Sequence, residues 1–216
     1  MEKERIPIYR IRNGTMIRQE DEVAVESHLN VSLSDGRIIP VTCTPSYTEE
    51  MILGRRFLMG DLTREELEGL ELKESADALQ EIHLRDIFKI AGEMFENPGT
   101  LFQDTGCAHS CVLARGAQVL CSMEDISRHN ALDKIVGYAL KNHISIPECA
   151  VFTSGRISED YLRKVIDAGF RVGVSRAAVT GSAVALAKRE GITLLGFIRK
   201  GGGNIYHIGT VNVVGE

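Results

Sequence analysis

The segment Thr105-Gly106-Cys107-Ala108-His109-Ser110-Cys111 brings two thiols and an imidazole together. A cysteine thiolate is a strong nucleophile and a carrier of sulfur, and a nearby cation or helix N-terminus favours the ionised form. His109 lies two residues from each cysteine, so on a strand all three side chains share a face. Two chemistries suit the set. Either Cys107 or Cys111 acts as a nucleophile assisted by His109, or the two thiols and an imidazole hold zinc, with Cys121, Cys149 or His129 as a fourth ligand. Against both stands the habit of cysteines in short apolar strands of packing as small hydrophobes.

A second set is Ser127-Arg128-His129-Asn130-Ala131-Leu132-Asp133-Lys134. It places polar residues at a helix start, where free backbone donors and the dipole favour an anion. Asp133 falls one turn after His129 and is expected to orient its ring. Arg128, His129 and Asn130 are therefore candidate binding residues.

The third set is spread over three turns: Ser154-Gly155-Arg156, Ser175-Arg176 with Thr180-Gly181-Ser182 beyond, and Arg199-Lys200-Gly201-Gly202-Gly203-Asn204. Glycines let backbone N–H groups approach an anion, hydroxyls donate to it, and arginine forks bind phosphate oxygens in pairs. One such turn is ordinary surface chemistry. Three that converge point to a nucleotide or another phosphorylated ligand. None is a Walker loop or a G-x-G-x-x-G fingerprint, so an NTPase or a nicotinamide enzyme is poorly supported.

Position depends on the elements. Leu29, Val31 and Leu33 alternate with polar residues before Asp35-Gly36, and Ile38, Val41 and Cys43 follow, which predicts one hairpin in the first third. Ser46 and Glu49 make a capping-box pattern for a helix to about Met59, with Gly60 as its stop. Residues 61–83 are acidic and weakly patterned, as in a linker. Leu84, Ile87, Phe88, Ala91, Met94 and Phe95 repeat at helical spacing up to Pro98-Gly99. A hairpin around Arg115-Gly116 precedes a helix over Ala131 to Leu140. Strand then alternates with helix: Cys149 to Thr153, a helix capped by Ser158, Phe170 to Ser175, a helix over Ser182 to Glu190, and Ile192 to Ile198. Gly169 and Gly191 close the helices, the pattern of parallel βαβ units. Strands at Ile205 to Ile208 and Thr210 to Val214 are expected at an edge. The strand ends then carry the arginines, where open α/β sheets bind ligands.

Of the 216 residues, 44% are hydrophobic and 25% charged, a balance that can bury a core, and the net charge is −5. No overall basic field exists to attract nucleic acid or anionic lipid, so any anion site is local. No apolar run is long enough to span a bilayer, and Met1 to Arg5 do not begin a signal peptide, so a cytoplasmic location is expected. Five cysteines, an odd number without repeating spacing, argue against a disulfide framework.

Taken in order, these segments resemble the formate dehydrogenase accessory protein family, FdhD. The resemblance rests on Thr44-Pro45, Phe57-Leu58-Met59-Gly60, Thr105-Gly106-x-x-His109, Arg128 through Lys134, Ser154-Gly155-Arg156-Ile157-Ser158, Val174-Ser175-Arg176 and Gly196-Phe197-Ile198-Arg199. It implies an α/β fold with a cytidine-deaminase-like domain over 84–216 and a small strand-rich part with an acidic linker over 1–83. It also implies a homodimer that takes sulfur as a persulfide from a cysteine desulfurase. The sulfur passes to the bis(molybdopterin guanine dinucleotide) cofactor of molybdenum or tungsten, for a formate dehydrogenase client. The family's cofactor-binding stretch matches Phe197, Ile198, Arg199, Lys200, Gly201 and Gly202, and a GDP-like nucleotide would mimic the ligand.

One departure is plain. The family carries its persulfide cysteine in a C-x-x-C loop before the long helix, and residues 61–100 here hold no cysteine. Either Cys107 or Cys111 has taken over that role, or the chain binds the cofactor without carrying sulfur. A zinc hydrolase is a further alternative, but deaminases of that fold pair H-x-E or C-x-E with P-C-x-x-C, and neither pattern is present.

Overall fold

The computed structural model of the chain describes residues 1–70 and 78–215, the Phe95 side chain excepted. Strands β1 (Lys3–Arg12) and β2 (Thr15–Ala24) form an antiparallel ribbon turning at Asn13-Gly14. A second ribbon pairs β3 (Ser27–Ser32) with β4 (Ile38–Cys43). Only the second was predicted. The first escapes the alternation test because much of it faces water: Tyr9, Ile11, Met16 and Ile17 are all exposed.

Helix α1 (Thr48–Leu58) begins differently from the expected capping box. Tyr47 precedes it with φ 52° and offers no side-chain cap, while the Ser46 hydroxyl donates to Glu2. The predicted linker is partly structured. Helix α2 (Arg64–Gly69) carries a capping box of its own, Thr63 with Glu66, and Arg56 ties it to α1 through Asp61 and Glu66. Residues 71–77, among them Glu71 and Glu74 of the acidic stretch, lie outside the described residues.

β5 (Glu81–His83) leads into α3 (Leu84–Glu96), and a short helix that the sequence did not reveal, α4 (Thr100–Thr105), follows Pro98-Gly99. Then come β6 (His109–Arg115), β7 (Gln118–Asp125), α5 (Arg128–Lys141) and β8 (Ala150–Thr153). They are followed by α6 (Glu159–Asp167), β9 (Val172–Ser175), α7 (Gly181–Glu190) and β10 (Thr193–Arg199). β11 (Gly202–His207) and β12 (Asn212–Val214) complete the chain. The main sheet has the order β11-β10-β9-β8-β6-β7. β8, β9 and β10 are parallel, as predicted, and β6 runs antiparallel to β8. β12 does not join that sheet; it pairs with β5.

Because side chains on a strand alternate, each strand feeds two cores. Cys111, Leu113 and Val151 pack beneath α5, α6 and α7, together with Leu132, Leu162 and Leu186. Val112, Ala114 and Phe152 face the other way, against Ile87, Ile90 and Ala91 of α3. The first part of the chain is bolted onto this layered body where α1 crosses α5. Gly54 lies against the Asp133 carbonyl and Gly137 against that of Glu50, each so closely that a Cβ would overlap the oxygen.

Candidate functional site

The direction of β6 makes the site. Since β6 opposes β8, its first residues lie at the sheet edge where β8, β9 and β10 end. The Cys107 segment, far from the three arginine turns in sequence, therefore opens onto the same place. A cleft of about 530 Å³ lies there, lined by Cys107, His109 and Ser110, by Ser154, Arg176 and Arg199, and by the apolar Met94, Pro98 and Phe102.

Cys107 is the one exposed cysteine among the described residues. Its backbone N–H donates to Thr105 Oγ1 at 3.1 Å, and Gly106 makes the turn before it with φ 67°. His109 is half-buried, and burial, with Arg128 and Arg156 nearby, pushes its imidazole below the usual histidine range. A neutral ring at physiological pH can accept a thiol proton.

The strand-end loops brace one another. Ser110 N–H donates to Ser154 Oγ at 2.9 Å, and Ser154 N–H returns a bond to the Ser110 carbonyl at 2.9 Å. Ser175 is fully buried; its hydroxyl donates to the Gly155 carbonyl at 2.7 Å and accepts from Ala177 N–H at 2.9 Å. Arg176 N–H donates to the Thr153 carbonyl at 3.0 Å, which fixes the base of its side chain in the cleft wall. Arg128 packs over Gly155, where a Cβ would come within 3.0 Å of its side chain.

Charge gathers at this edge. Burial and the neighbouring Arg199 both push the Arg176 guanidinium below its usual value, a sign of like charges held close. Arg128 donates to Ser158 Oγ at 3.2 Å, but its Nε is buried with no hydrogen-bond partner. A crowded, incompletely satisfied cationic edge suits a phosphorylated ligand. Phe197, beside it, is 40% exposed and holds φ 54°, an uncommon backbone state for a bulky residue. Arg156, Lys200, Gly201 and Gly202 are exposed.

Several expectations are corrected. Cys111 is fully buried beside Tyr161, 3.7 Å from its hydroxyl, and burial pushes its thiol up to about 12, so it packs rather than reacts. Ser175 supports the loops from within, and the Ile198 side chain packs in the α3 core, so neither offers a side chain to a ligand. Asp133 does not orient His129. It is buried between Arg55, at 2.6 Å, and Lys164, while His129 Nε2 faces Asp160 at 3.4 Å and its ring meets Tyr161 edge-on. Asn130 is buried too, donating to the Thr42 carbonyl and Asp125 and accepting from Arg55. Lys134 completes this strut with a 2.8 Å ion pair to Asp125 in which both side chains are fully buried. Most of the Arg128-to-Lys134 motif is thus scaffold; Arg128 alone turns toward the cationic edge. Among the described residues no three His, Cys, Asp or Glu side chains are grouped to hold a metal ion.

The apolar wall was missed. Met94 read only as part of a helix stripe, and Phe102 belongs to α4, whose six residues are too few to show a period.

Known proteins are similar to this chain in sequence and fold. The FdhD/NarQ family model matches residues 60–210. A protein named sulfur carrier protein FdhD from Staphylococcus aureus (strain MRSA252) is 29% identical, with 93% of this chain and 92% of the relative covered. A protein of the same name from Shouchella clausii is 27% identical, covering 93% of each. The first alignment runs over 247 positions while taking in 93% of a 216-residue chain, so the relative carries segments that this chain lacks. A crystal structure of a formate dehydrogenase accessory protein from Desulfotalea psychrophila superposes with a TM-score of 0.82 at 26% identity, covering 96% of this chain and 97% of that one. Agreement of the ordered motifs, the family match over most of the chain and the shared architecture leads to one conclusion: this chain belongs to the FdhD/NarQ family.

Proposed function

We propose that the chain is a sulfur carrier in which Cys107 holds the sulfur and the cationic cleft beside it holds the recipient. The observation that carries this reading is the convergence of the exposed Cys107 thiol with Arg176 and Arg199 in one cleft. The names of the relatives, sulfur carrier protein and formate dehydrogenase accessory protein, agree with it. Loading is a thiol exchange. The Cys107 thiolate attacks the outer sulfur of a persulfide on a cysteine desulfurase, the donor's S–S bond breaks, and the donor cysteine leaves as a thiolate. His109, neutral and in the same cleft, takes the Cys107 proton. On discharge the new S–S bond breaks, the acceptor supplies the two electrons that turn the outer sulfur into sulfide, and Cys107 is regenerated.

The recipient in this reading is the bis(molybdopterin guanine dinucleotide) cofactor of molybdenum or tungsten, as cargo for a formate dehydrogenase. Arg128, Arg156, Arg176 and Arg199 would take its phosphates, with Lys200, Gly201 and Gly202 completing the loop and Phe197 offering a ring face to a base. The unpartnered Arg128 Nε and the crowded Arg176 and Arg199 support an anion of that kind. We further read the α/β body as cytidine-deaminase-like, which the placing of one antiparallel strand pair beside three parallel strands supports.

Incubation with a cysteine desulfurase and cysteine tests the reading. Peptide mass spectrometry should find one added sulfur atom on Cys107 and none on Cys111. A second reading, a cofactor-binding chaperone without sulfur transfer, draws on the absence of cysteine from residues 61–100. Sulfur on no cysteine, with GDP still bound, would establish it instead.

A further inference from the structure

The Cys107 loop is held at both ends by one strand, β7. On the far side of the loop, β6 pairs with β7 from its first residue, His109 opposite Asp125 and Ser110 opposite Glu124. On the near side, the Glu124 carboxylate takes the second and third amides of α4: Oε2 accepts Leu101 N–H and Oε1 accepts Phe102 N–H, each at 3.0 Å. Gly99 lies so close to that carboxylate that a Cβ would overlap it. At the other end of α4, Thr105 Oγ1 donates to the Leu101 carbonyl at 2.6 Å and accepts Cys107 N–H. Glu124 itself is anchored, since the buried Lys134 ammonium donates to its backbone carbonyl at 3.1 Å.

We infer that Glu124 is the positioning residue that sets the Cys107 thiol over the cationic side of the cleft. The inference rests on the sulfur-carrier reading for its purpose but not for its geometry. An exposed six-residue helix is too short to persist unaided, and a carboxylate gripping two of its four free amides supplies the missing contacts. Without that grip α4 frays, and Thr105 and Gly106 no longer hold Cys107 in the cleft it shares with Arg176 and Arg199.

The test compares alkylation of Cys107 by anionic iodoacetate and neutral iodoacetamide, read at the Cys107 peptide in the full chain. Near two guanidiniums the wild-type rate ratio, iodoacetate over iodoacetamide, should exceed that of the unfolded chain by about threefold or more. In Glu124→Ala and in Gly99→Ala the ratio should fall to the unfolded-chain value. The sign is decisive. Deleting a carboxylate by its field alone would attract iodoacetate and raise the ratio, whereas loss of position lowers it. Glu124→Gln, which keeps an acceptor for one amide and turns a donor NH2 toward the other, should lie between.

A ratio that stays at the wild-type value or rises in Glu124→Ala, in a chain that still melts cooperatively, overturns the inference. So does a wild-type ratio no higher than that of the unfolded chain. If the alanine variants do not fold, Glu124→Gln decides: an intermediate ratio supports the inference and a wild-type ratio overturns it. Sulfur loading by a desulfurase is scored separately. A wild-type chain that takes no sulfur, yet loses its ratio in Glu124→Ala, retains the positioning role and loses the carrier function.

Discussion

Arg199 is the cleft residue with the most direct test. It is exposed, lines the cleft and crowds Arg176, so it has charge to offer a phosphate at little desolvation cost. Arg199→Ala should weaken GDP binding by more than tenfold in a calorimetric titration, from loss of a charge-assisted contact of about 1.5 to 3 kcal/mol. Unchanged affinity would remove the β10 end from the binding surface. The two neighbouring thiols of the segment, Cys107 and Cys111, show how far residue type alone can mislead. They are four apart in sequence with equal claims to chemistry, yet one faces the cleft and the other lies under Tyr161. Where β6 starts decides between them, and no local property of the heptapeptide specifies that.

Two contacts between elements are equally testable. The α1–α5 crossing brings backbone to backbone at Gly54 and Gly137, so Gly54→Ala should force the helices apart and destabilise the chain by roughly 1 to 3 kcal/mol or more. Chemical denaturation should show the loss, whereas an alanine at Gly92, which has open space around it, should be nearly neutral or mildly stabilising in comparison. The α1–α2 junction has a pH signature. The Ser34 and Arg56 bonds hold Asp61 down to about 2, and Arg56 and the Thr63 amide hold Glu66 down to about 2. Folded values below the unfolded ones mean that the stabilisation is present above the ordinary carboxylate range and is lost as pH falls toward about 2. Melting temperatures over that range should decline less steeply in Arg56→Met than in the wild type; parallel curves would show that the junction contributes nothing. Capping boxes illustrate the limit of reading such junctions from sequence. Ser46 and Glu49 fit the pattern but Ser46 is taken by Glu2, while Thr63 and Glu66, in a stretch that reads as linker, form a true box.

Across the whole molecule, a net charge of −5 coexists with a cationic edge built from Arg128, Arg156, Arg176 and Arg199. GDP binding should therefore weaken as salt rises from low to several hundred millimolar, although the protein as a whole repels anions. Affinity independent of salt in the same titration would point to stacking rather than charge as the source of binding. Apart from α4, the order of strands and α-helices from residue 84 onward was legible in the sequence, because period-2 and period-3.6 patterns and their glycine stops depend on neighbours in the chain. The three arginine turns were legible for the same reason. Two exposed local elements, the first ribbon and α4, were not legible, nor were the contacts between distant segments: the burial of Asn130 and Asp133 in an ionic strut, and the meeting of Cys107 with Arg176 and Arg199. Each depends on which face of an element is covered and which strand it pairs with, and those choices minimise free energy over the whole chain rather than over a window of residues. Sequence alone determined which groups could do chemistry and on which kinds of element they stand. The antiparallel placement of β6 beside β8, a tertiary fact, decided which of them meet.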